Sequence, residues 1–238
     1  MPQCPRRQKK SDIGKRDDWR TARRPQPRRL LPENHLFVTE GTKTEPNYLY
    51  GLIDELARQF GNAVRDQLTV LPEGRNTLFL LEQAEQYLQT TADFYQHVWI
   101  LYDLDDFPLD RFDNTVHRCE ALTKRSRKLG YGPKFHAIWS NQCFELWFLL
   151  HFCPLDANIS REGYSEKLSE QLRAQGLCEK YEKRDPALFS YLRPHLPDAL
   201  RNARHLAEAC KALPPSQSAP CTAAPLLYSK WAFGPYIK

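Results

Sequence analysis

Nowhere in the 238-residue sequence do the ~20 consecutive apolar residues occur that a helix needs to cross a bilayer, and no apolar segment follows the basic N-terminus. Both absences argue against a membrane span and a secretion signal, so the expected location is the cytoplasm. The seven cysteines (Cys4, Cys119, Cys143, Cys153, Cys178, Cys210 and Cys221) include no CxxC pair, which argues against a zinc knuckle. Their odd number argues against a disulfide framework and points to reduced thiols. No internal repeat is present.

Charge is plentiful but unevenly placed. The chain has 34 Lys/Arg and 29 Asp/Glu, a net charge of +5. Residues 1–30 hold eleven Lys/Arg against three Asp, whereas the remainder holds twenty-three against twenty-six acids. The N-terminal stretch has little to bury and several prolines, so residues 1–33 are read as a disordered basic arm. Disorder alone, or disorder that also neutralises nucleic-acid phosphates, fits it equally well. With 12% aromatic residues, the rest of the chain has bulky groups enough for one main core.

Hydropathy patterning predicts alternating strands and helices. His35 to Thr39 is a short apolar run ending at Glu40-Gly41; Pro46 then precedes apolar residues at helical spacing up to Gly61. Gln67 to Leu71 reads as a second strand, followed by a helix that Asn76 would cap. Val98 to Tyr102 has the unbroken hydrophobicity of a strand covered on both faces, and it ends in Asp103-Leu104-Asp105-Asp106. Leu109 to Leu129 is helical, Lys134 to Ile138 a fourth strand, and Cys143 to Phe152 a buried helix. The expected fold is α/β, with a mostly parallel four-stranded sheet flanked by helices. Residues 34–155 form this core and 156–213 a helical extension. Residues 214–238 are a Pro/Ser-rich linker followed by a docked aromatic segment.

Carboxylates end two of the strands. In an open parallel sheet, ligands bind outside the carboxyl ends of the strands, where Glu40 and the Asp103/Asp105 pair are expected. Asp103 and Asp105 point the same way along an extended chain and can share a hard cation. Magnesium, or manganese, suits a pair of carboxylates better than any His or Cys arrangement here. Glu40 could be a third ligand or an acid-base group. A solvated turn after a strand is the plainer explanation of either acid alone; both at strand ends, in this order, favour a site.

Other residues keep two readings each. Lys43 could contact phosphate at a helix start, and Glu45 could complement the helix dipole. Glu145 is a carboxylate in an apolar helix, costly unless paired or metal-bound, and stands between core and catalytic residue. Asn141 and Ser140 could orient substrate or cap that helix. His151, six residues past Glu145, is turned away from it and reads as a core histidine, as Trp99, Trp147 and Phe148 read as core.

The segment Val38-Thr39-Glu40-Gly41-Thr42-Lys43-Thr44-Glu45-Pro46-Asn47-Tyr48 resembles the opening motif of RloB-like proteins. Trp99 to Asp106 resembles the family's strand plus DxD, and Ser140 to Phe152 its SNPCFELWLLLHF signature, with Gln142 where the family usually has Pro. Lys180-Tyr181-Glu182-Lys183 matches more loosely. The resemblance implies a Toprim-like fold in which a strand-end Glu and a DxD pair bind magnesium. It further implies a nuclease of prokaryotic anti-phage defence, acting on DNA or RNA, transfer RNA included, beside an ABC- or AAA-type ATPase partner. Homo-oligomerisation is left open. The rival reading is a non-catalytic nucleotide- or nucleic-acid-binding sensor or adaptor on the same scaffold; a phosphate-transferring enzyme is a third.

Overall fold

A computed structural model of the chain describes residues 33–74, 77–104, 109–229 and 232–237. The basic arm up to residue 32, Asn76 with its capping role, and the Asp105-Asp106 half of the acidic run lie outside the described residues. The strands are β1 (His35–Thr39), β2 (Leu68–Pro72), β3 (His97–Asp103), β4 (Lys134–Asn141) and β5 (Cys221–Thr222). The helices are α1 (Thr44–Phe60), α2 (Thr77–Thr90), α3 (Leu109–Leu129), α4 (Glu145–Leu149), α5 (Arg161–Ala174), α6 (Leu188–Leu192) and α7 (Leu196–Ala209).

The strands form one sheet in the order β2-β1-β3-β4-β5, parallel except for β5. Side chains alternate along each strand and so divide between two apolar layers. Leu36, Val38, Val98, Ile100 and Tyr102 face the side covered by α2 and α3. Phe37, Trp99, Leu101 and Ile138 face the side covered by α1, α4 to α7 and the C-terminal segment. Both faces of the central strands are thus buried, which is why β1 and β3 read as continuous apolar runs.

The strand order places β2 and β3 on opposite sides of β1. Their crossovers, α1 and α2, accordingly lie on opposite faces of the sheet. The gap between the C-terminal ends of β1 and β3 is therefore the switch point at which such sheets open a crevice. Glu40 and Asp103 sit at that gap.

Three expectations need correction. The sheet has five strands, not four: Cys221 and Thr222, expected in a linker, pair antiparallel with Asn141 and Ser140. Two residues after a proline carry no readable alternation; the pairing is made by the Trp139 carbonyl, which accepts from Ala223 N–H at 2.8 Å, and by the Ser140 and Thr222 hydroxyls 2.9 Å apart. The buried helix is regular only over Glu145–Leu149, because i to i+3 bonds tighten its two ends, from Leu146 N–H to Cys143 and from His151 N–H to Phe148. Neither Ser140 nor Asn141 caps it. Pro46 is the third residue of α1, where its missing N–H costs no helical bond.

Residues after 156 do not form a separate layer. Tyr164, Leu168, Leu172, Tyr181 and Phe189 share one buried cluster with Phe37 and Trp99. Phe233 is fully buried beside His35 and Phe37, and Tyr236 meets Phe60 edge-on. His151 is buried, with Nδ1 2.9 Å from the Trp147 carbonyl, and burial lowers it to about 3, so it is a neutral core group.

Candidate functional site

The site begins with the turn after β1. Glu40 N–H donates to the Leu101 carbonyl at 3.0 Å, extending the ladder onto β3 by one residue. The Glu40 carboxylate then accepts from the backbone N–H of Asp103 at 3.1 Å. An acid from β1 is thereby tethered to the very residue at which β3 delivers its own. Asp103 is 7% exposed and faces the α4–α5 side of the sheet, where Arg161, the first residue of α5, comes within 3.8 Å.

Beside this pair lies a second set of acids that entered the protein from other elements. Glu45, in the first turn of α1, is 3% exposed, and its carboxylate accepts from Gly41 N–H at 3.2 Å. A Cβ on Gly41 would stand 2.1 Å from that carboxylate, so a side chain at this position would force the Glu45 carboxylate to shift. Glu145, the first residue of α4, is 1% exposed. Its Oε1 accepts from the Tyr181 hydroxyl at 3.1 Å, has the Thr44 hydroxyl at 3.5 Å, and lies 3.2 Å from Lys183 Nζ. Asn47 holds the Lys183 carbonyl at 2.8 Å, tying that loop back to α1.

Electrostatics join the two sets. Burial pushes Glu45 up to about 7, and the Glu145 charge pushes the same way, opposed by the backbone bonds and Lys183. The Cys143 thiol is raised by burial, then by the charges of Glu145 and Asp103. Tyr181 is raised by burial and then by Glu145. Acids thus crowd the interior of the cleft while the guanidinium of Arg161 and the ammonium of Lys183, each partly exposed, stand at its rim.

The acids expected as ligands are therefore placed as follows. Glu40 and Asp103 meet at the switch point; Asp105 lies outside the described residues. Among the described residues no three His, Cys, Asp or Glu side chains form a ready metal cage. Two oxygen ligands are nonetheless what magnesium ordinarily takes from protein, with waters and phosphate completing its shell, so the donor set fits. Glu145 stands in the cleft with hydroxyl and ammonium partners. Lys43 is exposed at the N-cap of α1. Asn141 is 1% exposed, and its carboxamide N–H groups go to the Pro215 and Ser216 carbonyls, so its present work is to hold the loop before β5. The Asn141–Gln142 peptide is cis.

The burial of Glu45 and the roles of Arg161, Tyr181 and Lys183 escape a reading of the chain by spacing. The only sequence signal for the last two is the loose Lys180 to Lys183 match. The model of RloB-like proteins matches residues 35–230, more than four-fifths of the chain. The chain belongs to the RloB-like family. No curated protein and no solved structure matches it. The RloB-like match spans Glu40, Asp103, Glu145, Lys183 and β5 alike, so the family unit includes the helices after residue 156 as well as the sheet.

Proposed function

We propose that this RloB-like chain is a Toprim-type, magnesium- or manganese-dependent nuclease that cleaves DNA or RNA, transfer RNA included. In this reading it serves prokaryotic defence against phage and is controlled by an ABC- or AAA-type ATPase partner. The observation that carries the proposal is the Glu40 carboxylate held on the backbone of Asp103 at the β1/β3 switch point. Glu40, Asp103 and Asp105 would hold the metal, which when bound supplies an activated water and neutralises charge developing on the phosphate.

The chain's own residues have distinct tasks. The peptide N–H of Asp103 orients Glu40, and the β3–β4 ladder fixes Asp103 opposite Ser140. Arg161 and Lys183 offer cationic groups to phosphate oxygens at the rim, where a negatively charged cleft alone would repel them. Tyr181 and Thr44 hold the Glu145 carboxylate in the cleft, where it remains a candidate catalytic group.

Purified protein with magnesium, given plasmid, single-stranded DNA, total RNA and transfer RNA, should cleave at least one of them. Asp103→Ala and Glu40→Ala should each lower the rate by about 100-fold or more while leaving the circular-dichroism spectrum and thermal midpoint close to wild type. Cleavage persisting in both variants would sink the assignment. Metal binding without turnover across the whole panel would favour the sensor or adaptor reading instead.

A further inference from the structure

Helix α3 runs back from the end of β3 to the start of β4, so its last turn and Lys134 lie at the end of the sheet opposite to Glu40 and Asp103. From Lys134 to Ser140, which pairs with Asp103, the strand covers roughly 20 Å. Positions 122, 125, 126 and 129 share one face of α3, and that face borders a hollow of about 260 Å³ between α3 and α2. Its apolar walls are Leu88 of α2, Leu122 and Leu129 of α3, and Tyr131, Pro133 and Phe135 on the way into β4. Leu129 is 54% and Tyr131 70% exposed, so two large apolar side chains stand uncovered at its mouth.

Cations surround the hollow. Arg125 lines it, Lys124 and Lys128 occupy the next strip of α3, and Lys134 follows Pro133. All four are exposed, and among the described residues none of them forms an ion pair. Glu85, on the α2 wall, belongs to the lining and pairs with none of them either. Compensation of the helix dipole accounts for the cations in the last turn of α3, Arg127 and Lys128, but requires neither a hollow nor exposed apolar groups beside it.

We propose that this hollow is a docking site for an acidic segment of a partner protein, which seats one large apolar side chain beside Leu129 and Tyr131 and lays its carboxylates over Arg125, Lys128 and Lys134. An apolar patch left open and rimmed by charge is suited to a partner: the anchor in the hollow supplies affinity and the rim steers the approach. A second copy of the chain fits poorly, because a two-fold contact here would set like-charged rims against each other. Nucleic acid matches the charge, but the leucine-walled hollow offers its bases no flat face beyond Tyr131. An occupant at this end of the sheet leaves the cleft at Glu40 and Asp103 open.

The probe is a synthetic fluorescein-labelled peptide with a leucine-phenylalanine pair between two runs of glutamate, titrated with the full chain at physiological salt and read by polarisation. Saturable binding is expected, weakened about 10-fold or more when the pair is replaced by two serines. Leu129→Ser with Tyr131→Ala, and separately Arg125→Glu with Lys128→Glu, should each weaken it by about 10-fold or more. All four side chains are exposed, so both double variants should keep the thermal midpoint of the wild type. The basic residues 1–30 attract any acidic peptide, but that attraction is equal for the two peptides and survives both double substitutions. With photo-leucine in the pair, crosslinks should fall within residues 85–89 and 122–135. Absence of saturable binding, equal affinity for the serine peptide, an affinity unchanged by either double substitution, or crosslinks elsewhere would overturn the proposal. A single-stranded oligonucleotide that binds more tightly than the peptide, and loses that affinity on the same charge reversal, would assign the surface to nucleic acid instead. Peptide binding is read without any cleavage, so its failure and that of the nuclease reading are distinguishable.

Discussion

Glu45 illustrates how one residue can carry a cost that its neighbours in sequence do not reveal. Its carboxyl is raised to about 7 by burial and by Glu145. Between the ordinary glutamate range and that value, the folded chain keeps a proton that the unfolded chain has lost. Stability therefore falls as pH rises through this window, and the penalty is complete above it. Glu45→Gln keeps an oxygen to accept from Gly41 and removes the charge. In chelator-treated buffer, its stability relative to wild type should improve by about 1–3 kcal/mol between about pH 5 and about pH 8. Urea unfolding at the two pH values measures this, and an unchanged difference would show that Glu45 bears no such penalty. The Glu145 carboxylate beside it is ion-paired with Lys183 and accepts a hydrogen bond from the Tyr181 hydroxyl.

Among the elements, α1 does the most to assemble the cleft. Its first turn supplies Thr44, Glu45 and Asn47, and its middle lies against α6 so closely that Gly51 has no room for a side chain. A Cβ there would stand 2.2 Å from the Phe189 Cβ, next to the helix backbone rather than at the tip of a flexible group. Gly51→Ala should gain about 1 kcal/mol in helix propensity and lose about 1–3 kcal/mol or more to overpacking. A lowered thermal midpoint is the expected net result; a raised one would mean that α6 is free to move away. The displacement would also reach the Lys183 loop, which Asn47 holds from the same helix. In β5 the opposite relation holds: two residues with little strand character become a strand because β4 offers an open edge.

At the scale of the molecule, one apolar cluster runs from Phe37 through Trp99, Tyr164 and Phe189 to Phe233 and Ile237. Tyr228 closes it through its hydroxyl, 2.5 Å from that of Tyr48, whose oxygen also accepts from Trp147 Nε1–H at 2.9 Å. Sheet, later helices and C-terminal segment should therefore unfold together. A fragment of residues 33–155 would leave Phe37, Trp99, Trp147 and Phe148 without most of one covering layer. It should show no cooperative thermal or urea transition, whereas the full chain should show one. A sharp transition in the fragment would mean that the first 155 residues are an independent domain.

Much of this was legible in the chain itself. The bounds of β1, the span of α3 and the burial of β3 follow from local apolar periodicity, which needs only neighbouring residues to declare itself. The strand-end positions of Glu40 and Asp103 follow from the same pattern, as does the family from its motifs. Tertiary structure alone decided that β2 lies outside β1, which turns the β1/β3 gap into a crevice, and that the linker yields an antiparallel edge strand. It also decided that Asn141 serves a loop, and that Glu45, Glu145, Tyr181, Lys183 and Arg161 surround the two strand-end acids. These residues are up to 143 positions apart, from Glu40 to Lys183. Their meeting depends on how helices pack across a sheet, and that packing is set by the sum of many long-range contacts rather than by any local spacing.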